Sequence, residues 1–343
     1  DGKRHPMRRV VQTDPLHEEE IRPRALFDRY LELLAGDVGL LLESAARVPR
    51  NCPACGAREA EPTYQKLGFQ YQTCLVCDSL YVSPSPTETQ LVTFYRKSEA
   101  VAYWREQLAA ETAQMREPGV LKPRVDWVTS MISNYFPTPV TLLDLDGNCP
   151  YFLARLMESG IVGSCYSAAH LPGLPEPDIP QGDNQFWSRL FSEPPDATVD
   201  VVTAFEVIER AANPIGMVQA CSRWLCPSGL LFITSISGAG FDVRLLGEQV
   251  RHVVPPTHLN LLSRRGLQSL LDRTGFELLE FSTPGRLDVE LAAQAKAADP
   301  NLLLPPILDE LVSSEDEEIR SALQQLLQRA RLSSHVRIVA QRR

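Results

Sequence analysis

Nothing in the sequence is long and apolar enough to cross a membrane: no hydrophobic run approaches the roughly 20 residues of a spanning helix. A secretory pattern is missing at the start, where Lys3, Arg4, Arg8 and Arg9 precede no apolar core. Positive charge is in short supply. Acidic residues outnumber basic ones 43 to 34, a formal net charge of −9, which argues against non-specific nucleic-acid binding. The Gly-x-Gly-x-x-Gly fingerprint of a nicotinamide dehydrogenase is absent. Disulfides are not expected either, because four of the eight cysteines fall in paired metal knuckles, and a reducing cytoplasm is the expected location. With 44% hydrophobic and 22% charged residues over 343 positions, the composition is that of a globular protein with one large domain and a small one.

Cys52-Pro-Ala-Cys55-Gly56 and Cys74-Leu-Val-Cys77 form the sharpest local signal. Two Cys-x-x-Cys knuckles bring four thiolates around one tetrahedral zinc, and the eighteen residues between them suit a zinc ribbon. Gly56 fits the tight turn of the first knuckle, and Asp78 stands where the second often has glycine. Four thiolates leave zinc no open position, so the expected role is structural. Tyr64–Tyr71 supplies the hairpin between the knuckles.

Val140-Thr-Leu-Leu-Asp144 is an apolar run that turns through polar residues and opens into a helical pattern over Tyr151–Ser159. A buried parallel strand, a turn and a helix are the expected outcome. Val199–Phe205 and Gly229–Ile236 read as two further buried strands, the first followed by Glu206-Val-Ile-Glu209. Helix-length segments between them imply a doubly wound α/β sheet, with the ligand crevice at residues 144–150.

These stretches carry a resemblance. Leu142-Leu-Asp-Leu-Asp-Gly-Asn-Cys-Pro-Tyr-Phe-Leu153 is similar to motif I of class I S-adenosylmethionine (SAM) methyltransferases, usually Leu-Asp-x-Gly-x-Gly-x-Gly. Phe205-Glu-Val-Ile-Glu-Arg210 resembles their Phe-Glu-Val-x-Glu-His, and Pro227–Ile236 their fifth strand. The likeness covers roughly residues 50–343 and is closest to bacterial members with an N-terminal zinc ribbon, often linked to polysaccharide or small-molecule modification. It implies a seven-stranded Rossmann-like sheet over 138–343, a ribbon over 48–86, a helical linker or lid over 87–137, and an N-terminal extension and helix over 1–47. It also implies SAM as cofactor beside structural zinc, with Asp144, Asp146, Gly147, Asn148 and Glu206 as cofactor-binding residues. The chain departs from the pattern at three glycine positions, which hold Asp146, Asn148 and Pro150. Backbone there must approach the cofactor closely. The second strand, Ile161–Ser167, ends without the acidic residue that would accept from ribose hydroxyls. Arg210 stands where the family has His.

Elsewhere, residues 1–24 are polar with little periodicity and are expected to be loosely ordered. Apolar residues over Ala25–Ala46 recur at helical spacing, with Gly36 and Gly39 expected to break the helix. Ser85-Pro86-Thr87-Glu88 reads as a capping box opening a helical region to about Phe136, interrupted near Pro118 and Pro123. Within it Trp104, Glu111, Thr112 and Arg116 resemble a family segment that packs against the sheet domain, as a lid or as plain packing. Six prolines over 172–195 exclude a long crossover helix and leave the third strand unplaced. Ser263–Thr274 reads as a helix, Phe276–Ser282 as a strand, Asn301–Leu332 as helical, and Ser334–Ala340 as a closing strand antiparallel to the others. Glu206 and Glu209 are an acid–base candidate pair or, more plainly, one crevice-lining and one solvated carboxylate.

His258, in the long loop His252–Asn260, is the general-base candidate because imidazole titrates near neutral pH. The alternative is a histidine that merely holds the loop, and His252 ranks below it. Two functions are compatible with these features. One is methyl transfer to a hydroxyl or amine of a small-molecule or sugar acceptor. The other is a catalytically inactive relative, a pseudoenzyme used as a binding or scaffold subunit with a protein partner. The departures all fall on the cofactor half, and the acceptor half is spared. Oligomerisation is possible under either reading.

Overall fold

The computed structural model describes residues 10–42, 46–145, 150–167, 196 and 198–343. Two sheets organise it. The smaller is antiparallel, with strands β1 (Ala60–Lys66), β2 (Phe69–Cys74) and β3 (Leu80–Val82), and it recruits a fourth strand from far along the chain. The larger contains β4 (Val140–Asp144), β5 (Val162–Ser167), β6 (Val199–Phe205), β7 (Leu225–Ile236), β9 (Phe276–Ser282) and β10 (His335–Arg342). The recruited strand, β8 (Asn260–Leu261), pairs with β3.

The larger sheet runs in the order β5-β4-β6-β7-β10-β9. Its first four strands are parallel, and β10 lies antiparallel between β7 and β9. The parallel strands are apolar almost throughout because helices cover both faces. One face holds Leu143, Val202, Ile233 and Ile338 under the helices Pro214–Trp224 and Arg264–Arg273. The other holds Leu142, Val201, Phe232 and Val339 under Lys122–Tyr135 and Pro150–Glu158. This is the α/β, doubly wound Rossmann-like sheet that the sequence implies. Six of its strands lie among the described residues, and the expected third strand falls in 168–195, outside them.

Several local expectations are corrected. Gly36 and Gly39 do not break the first long helix, which runs unbroken over Arg24–Leu42. Burial of Phe27, Tyr30, Leu34, Val38 and Leu42 on one face outweighs about 1 kcal/mol per glycine. The capping box sits two residues later than expected: Thr87 is the N-cap, bonded reciprocally with Gln90, and Ser85 instead pairs with Val48. Pro118 and Pro123 are absorbed without ending the helical path. The chain passes through a wide turn at Glu117–Leu121, which accommodates Pro118, and Pro123 falls in the first turn of the helix Lys122–Tyr135.

Residues 10–22 are tied down rather than loose. Val10 N–H donates to Ser282 Oγ at 3.0 Å, Gln12 N–H to Gln328 Oε1 at 2.7 Å, and Glu18 N–H to Glu290 Oε1 at 2.9 Å. The segment therefore crosses the carboxyl end of β9. The lid candidates pack against it: Arg116 donates to Ile21 O at 2.7 Å and to Thr112 Oγ1 at 2.8 Å, over the Trp104 ring. No helix among the described residues is long and apolar enough to cross a membrane.

Candidate functional site

The two knuckles are built alike. In the first, Cys52 N–H bonds Ala57 O and Gly56 N–H bonds Cys52 O; in the second, Cys74 N–H bonds Ser79 O and Asp78 N–H bonds Cys74 O, all at 2.9 Å. Each turn needs a left-handed residue, and Gly56 (φ 81°) and Asp78 (φ 62°) supply it. The four Sγ atoms of Cys52, Cys55, Cys74 and Cys77 lie within 4.8 Å of one another. That spacing suits four thiolates on one tetrahedral ion, so the residues present fit zinc. Cys52 Sγ at 3.6 Å and Ser79 Oγ at 3.3 Å hold the Cys77 pKa below its ordinary value, while that of Cys52 rises.

The carboxyl edge of the larger sheet is the crevice the topology provides. Glu206 leaves β6 with φ 55°, a left-handed conformation that non-glycine residues adopt at a cost of about 1–3 kcal/mol. Its Oε1 accepts from Thr234 Oγ1 at 2.7 Å and lies 3.5 Å from Arg124 Nη2 and 3.9 Å from His335 Nδ1. Burial pushes its pKa up, but His335 and Arg124 more than offset this and hold it below the ordinary value. The surrounding protein does not seal it, since 39% of the side chain stays open.

Glu209, three residues on, is buried. Ile236 N–H reaches its Oε1 at 3.3 Å, and its carboxyl also hydrogen-bonds the Glu206 carboxylate. Burial and the neighbouring Glu206 charge raise its pKa well above the usual range. One ionised carboxylate beside one protonated carboxyl is the resulting arrangement.

Asp144 ends β4 fully enclosed, its Oδ1 accepting from Thr203 Oγ1 at 2.7 Å. It braces β4 against β6. Asp146, Gly147 and Asn148 lie outside the described residues. Of the expected cofactor residues, the described structure therefore places Glu206 with an open face and Asp144 without one. A SAM molecule would find Glu206 on the open side of the crevice, and the fit extends that far.

His258 sits in the loop between β7 and β8. Its Nδ1 lies 3.0 Å from Thr257 Oγ1 and 3.3 Å from Val254 O, to which it donates in the Nδ1–H tautomer that leaves Nε2 its lone pair, and the backbone N–H of His258 bonds Val254 O at 3.0 Å. Nε2 makes no hydrogen bond among the described residues. Burial lowers the ring pKa to about 4, so the imidazole is neutral at pH 7. His252, by contrast, is enclosed, with Nε2 3.4 Å from Asp242 Oδ2. Asp242 has its pKa raised by burial and by Asp288, and His252 has its lowered by burial, so the pair is neutral packing rather than exposed machinery.

Three residues at Glu206 escape a motif-based reading: Arg124, Thr234 and His335. His335 was nonetheless within reach of sequence reasoning. An antiparallel closing strand must begin at the carboxyl edge, so its first residue lands in the crevice. Arg124, in a helix 82 positions from Glu206, has no such signal.

Residues 126–280 match a family model described as a methyltransferase domain. No curated protein matches the chain. Among solved structures, a putative sarcosine dimethylglycine methyltransferase from Galdieria sulphuraria aligns at 15% identity and TM-score 0.40, covering 66% of this chain and 87% of that one. The complex of the Haloferax volcanii Trm112 methyltransferase activator with a putative methyltransferase aligns at 16% identity and TM-score 0.39, covering 67% and 94%. Geranyl diphosphate methyltransferase in complex with GPP and sinefungin aligns at 13% identity and TM-score 0.43, covering 75% and 100%.

Proposed function

We propose, from the methyltransferase domain that residues 126–280 match, that this protein methylates a hydroxyl group of a small-molecule or sugar acceptor, with His258 as proton acceptor. The observation that supports the reading is the state of His258: neutral, with Nδ1–H held against Val254 O, and with Nε2 making no hydrogen bond among the described residues. When bound, SAM supplies an electrophilic methyl group on a sulfonium sulfur.

The chain's own residues divide the remaining work. Glu206 offers its open face to the cofactor while Thr234 and Arg124 hold the carboxylate still. His258 Nε2 takes the acceptor proton. The helix Arg24–Leu42 shares an apolar cluster with Val253, Val254 and Leu259 and so covers the loop that carries His258.

The acceptor's chemistry is set by basicity. An imidazole with a pKa near 4 cannot deprotonate an ammonium group, which must lose its proton before it can attack. A hydroxyl needs no such step, because its proton becomes strongly acidic only as the new bond forms. A weak, well-placed base is then sufficient, and the amine alternative loses ground. The Cys52, Cys55, Cys74 and Cys77 set would hold zinc as a structural ion, outside this chemistry.

A second reading keeps the fold and drops the reaction: a binding subunit in which Arg124 and Thr234 have taken over the Glu206 carboxylate. What favours it is that contact and the lack of a carboxylate at the end of β5. One experiment separates the two. Purified protein is incubated with labelled SAM and a panel of free sugars, nucleotide sugars and small amines. Label transferred to hydroxyl acceptors by the wild type and lost in His258→Ala supports the enzyme. Transfer to amines alone, or undiminished transfer by His258→Ala, contradicts the role given to His258; no transfer to any acceptor favours the binding subunit.

A further inference from the structure

The loop Val250–Leu259 carries His258, and its internal hydrogen bonds converge on Val254, Thr257 and His258. Pro255 and Pro256 have no N–H to give, so carbonyls along the loop must find donors elsewhere. The donors come from the cysteine ribbon. Tyr71 Oη donates to His258 O at 2.6 Å from a side chain that is fully buried in β2. Arg50 spans the joint, Nε to Val82 O at 2.8 Å and Nη2 to Leu259 O at 2.9 Å. Lys66 Nζ donates to Val250 O. Val82 N–H adds a backbone bond to Leu259 O at 2.9 Å, and β3 pairs with β8 immediately afterwards.

The attachment continues to the metal set on one side and to the crevice on the other. Ser263, just past β8, donates its N–H to Ser79 Oγ at 3.0 Å and its hydroxyl to Cys77 O. Toward the crevice, Leu259 N–H donates to Glu209 O at 2.6 Å, and Asn260 Nδ2 donates to Ile208 O and Ala211 O at 2.8 Å each. Those carbonyls belong to the short turn through which the chain leaves Glu206.

We infer that the ribbon is the positioning scaffold of the acceptor side, with Tyr71 and Arg50 as positioning residues that fix the His258 backbone and thereby aim its ring. The inference deepens the reading of His258 given above and rests on it for its catalytic meaning. Among the described residues the ring's hydrogen-bond contacts all run from Nδ1 to Val254 and Thr257 in the same loop, so the ring moves with the loop. Tyr71 is suited to the task because burial holds its hydroxyl protonated, a permanent donor.

The test uses the full metal-loaded chain and Tyr71→Phe, which keeps the ring and deletes the one donor. Amide exchange is followed over 250–262 and over the ribbon segment 69–82, the His258 titration is followed by NMR with labelled histidine, and bound metal is measured. The expected result is roughly tenfold faster exchange in the loop, the scale of one lost hydrogen bond. The His258 titration should move up from about 4 as water enters, with ribbon exchange and metal content unchanged. Unchanged loop exchange would overturn the inference, and so would equal loosening of ribbon and loop, which makes Tyr71 a packing residue only. Should Tyr71→Phe fail to fold, Arg50→Lys reads the same joint through Leu259, with the same expected and contrary outcomes. These readouts need no turnover. A loop that responds in a protein lacking methyl transfer leaves the scaffold standing and removes only the general base; an indifferent loop in an active enzyme does the reverse.

Discussion

The same substitution at two helical glycines should have opposite effects. Gly36 is an exposed interior position of the helix Arg24–Leu42, and a Cβ built there meets nothing within 4 Å. Alanine should stabilise by about 0.8–1 kcal/mol, the ordinary helix-propensity difference. Gly266 lies in the first turn of the helix Arg264–Arg273, where a Cβ would come within 2.1 Å of Ser79 Oγ and 3.0 Å of Ala54 Cβ, both parts of the knuckles. Ser79 Oγ cannot swing aside freely, because it is buried and accepts from Ser263 N–H at 3.0 Å. Overpacking costs about 1–3 kcal/mol, and a buried donor left without a partner about 1–3 more. After the propensity gain, Gly266→Ala should lose on the order of 1–5 kcal/mol. At about 1–2 °C per kcal/mol for a chain of 343 residues, thermal melts should show Gly36→Ala about a degree above wild type and Gly266→Ala clearly below it. A Gly266→Ala protein that melts with wild type and keeps its metal would refute the docking of that helix on the second knuckle. A lowered melt for Gly36→Ala would refute the continuous first helix.

Other outcomes rest on the same contacts. Elemental analysis should find one zinc per chain, and Cys74→Ser should lose it together with several degrees of melting temperature; metal retained at full stability would contradict the site. Asp288 is buried, with Oδ2 accepting from Ser333 Oγ at 2.5 Å and Gln324 Nε2 at 2.8 Å and Oδ1 from Ser334 N–H at 2.7 Å, so Asp288→Asn should cost about 2–5 kcal/mol in denaturant titration. Burial holds His258 and His335 near 4 against 6.5 when unfolded, so in that window the unfolded chain binds protons that the native protein does not. Stability should fall as pH drops from 6.5 toward 4, and less steeply in His335→Asn. Glu209 has the opposite sign: its raised pKa favours the fold at low pH and costs stability as pH rises, so Glu209→Gln should melt higher than wild type at pH 8.

The features legible in the sequence were those set by local chemistry. Val140–Asp144, Val199–Phe205 and Gly229–Ile236 announced buried parallel strands because both of their faces are covered, and the knuckle spacing announced the cysteine set. The helix Arg264–Arg273 and strand Phe276–Ser282 fell where their caps and alternation put them. Misreadings arose where tertiary contacts overrode local rules. Glycines 36 and 39 are tolerated because the opposite face packs on β2, β3 and the helix Glu88–Lys97. The polar residues 10–22 are held by partners more than 200 positions away, which no local pattern reports. The alliance of Arg124, Thr234 and His335 around Glu206 is of the same kind, as is the attachment of the ribbon to the His258 loop. Motif matching located Glu206 but could not say that its charge was already shared.

The proposal of a methyltransferase whose cofactor half is weakened while its acceptor half is kept is tested most directly by titrating the isolated chain with SAM in a calorimeter. The end of β5 offers no carboxylate to ribose hydroxyls, and Glu206 is partly neutralised by Arg124. Charge-assisted bonds contribute about 1.5–3 kcal/mol each, so two such losses take an ordinary micromolar affinity to on the order of 0.1 mM or weaker. The account predicts that weak, saturable binding, abolished by Glu206→Gln. Micromolar binding, or binding indifferent to Glu206→Gln, would contradict it.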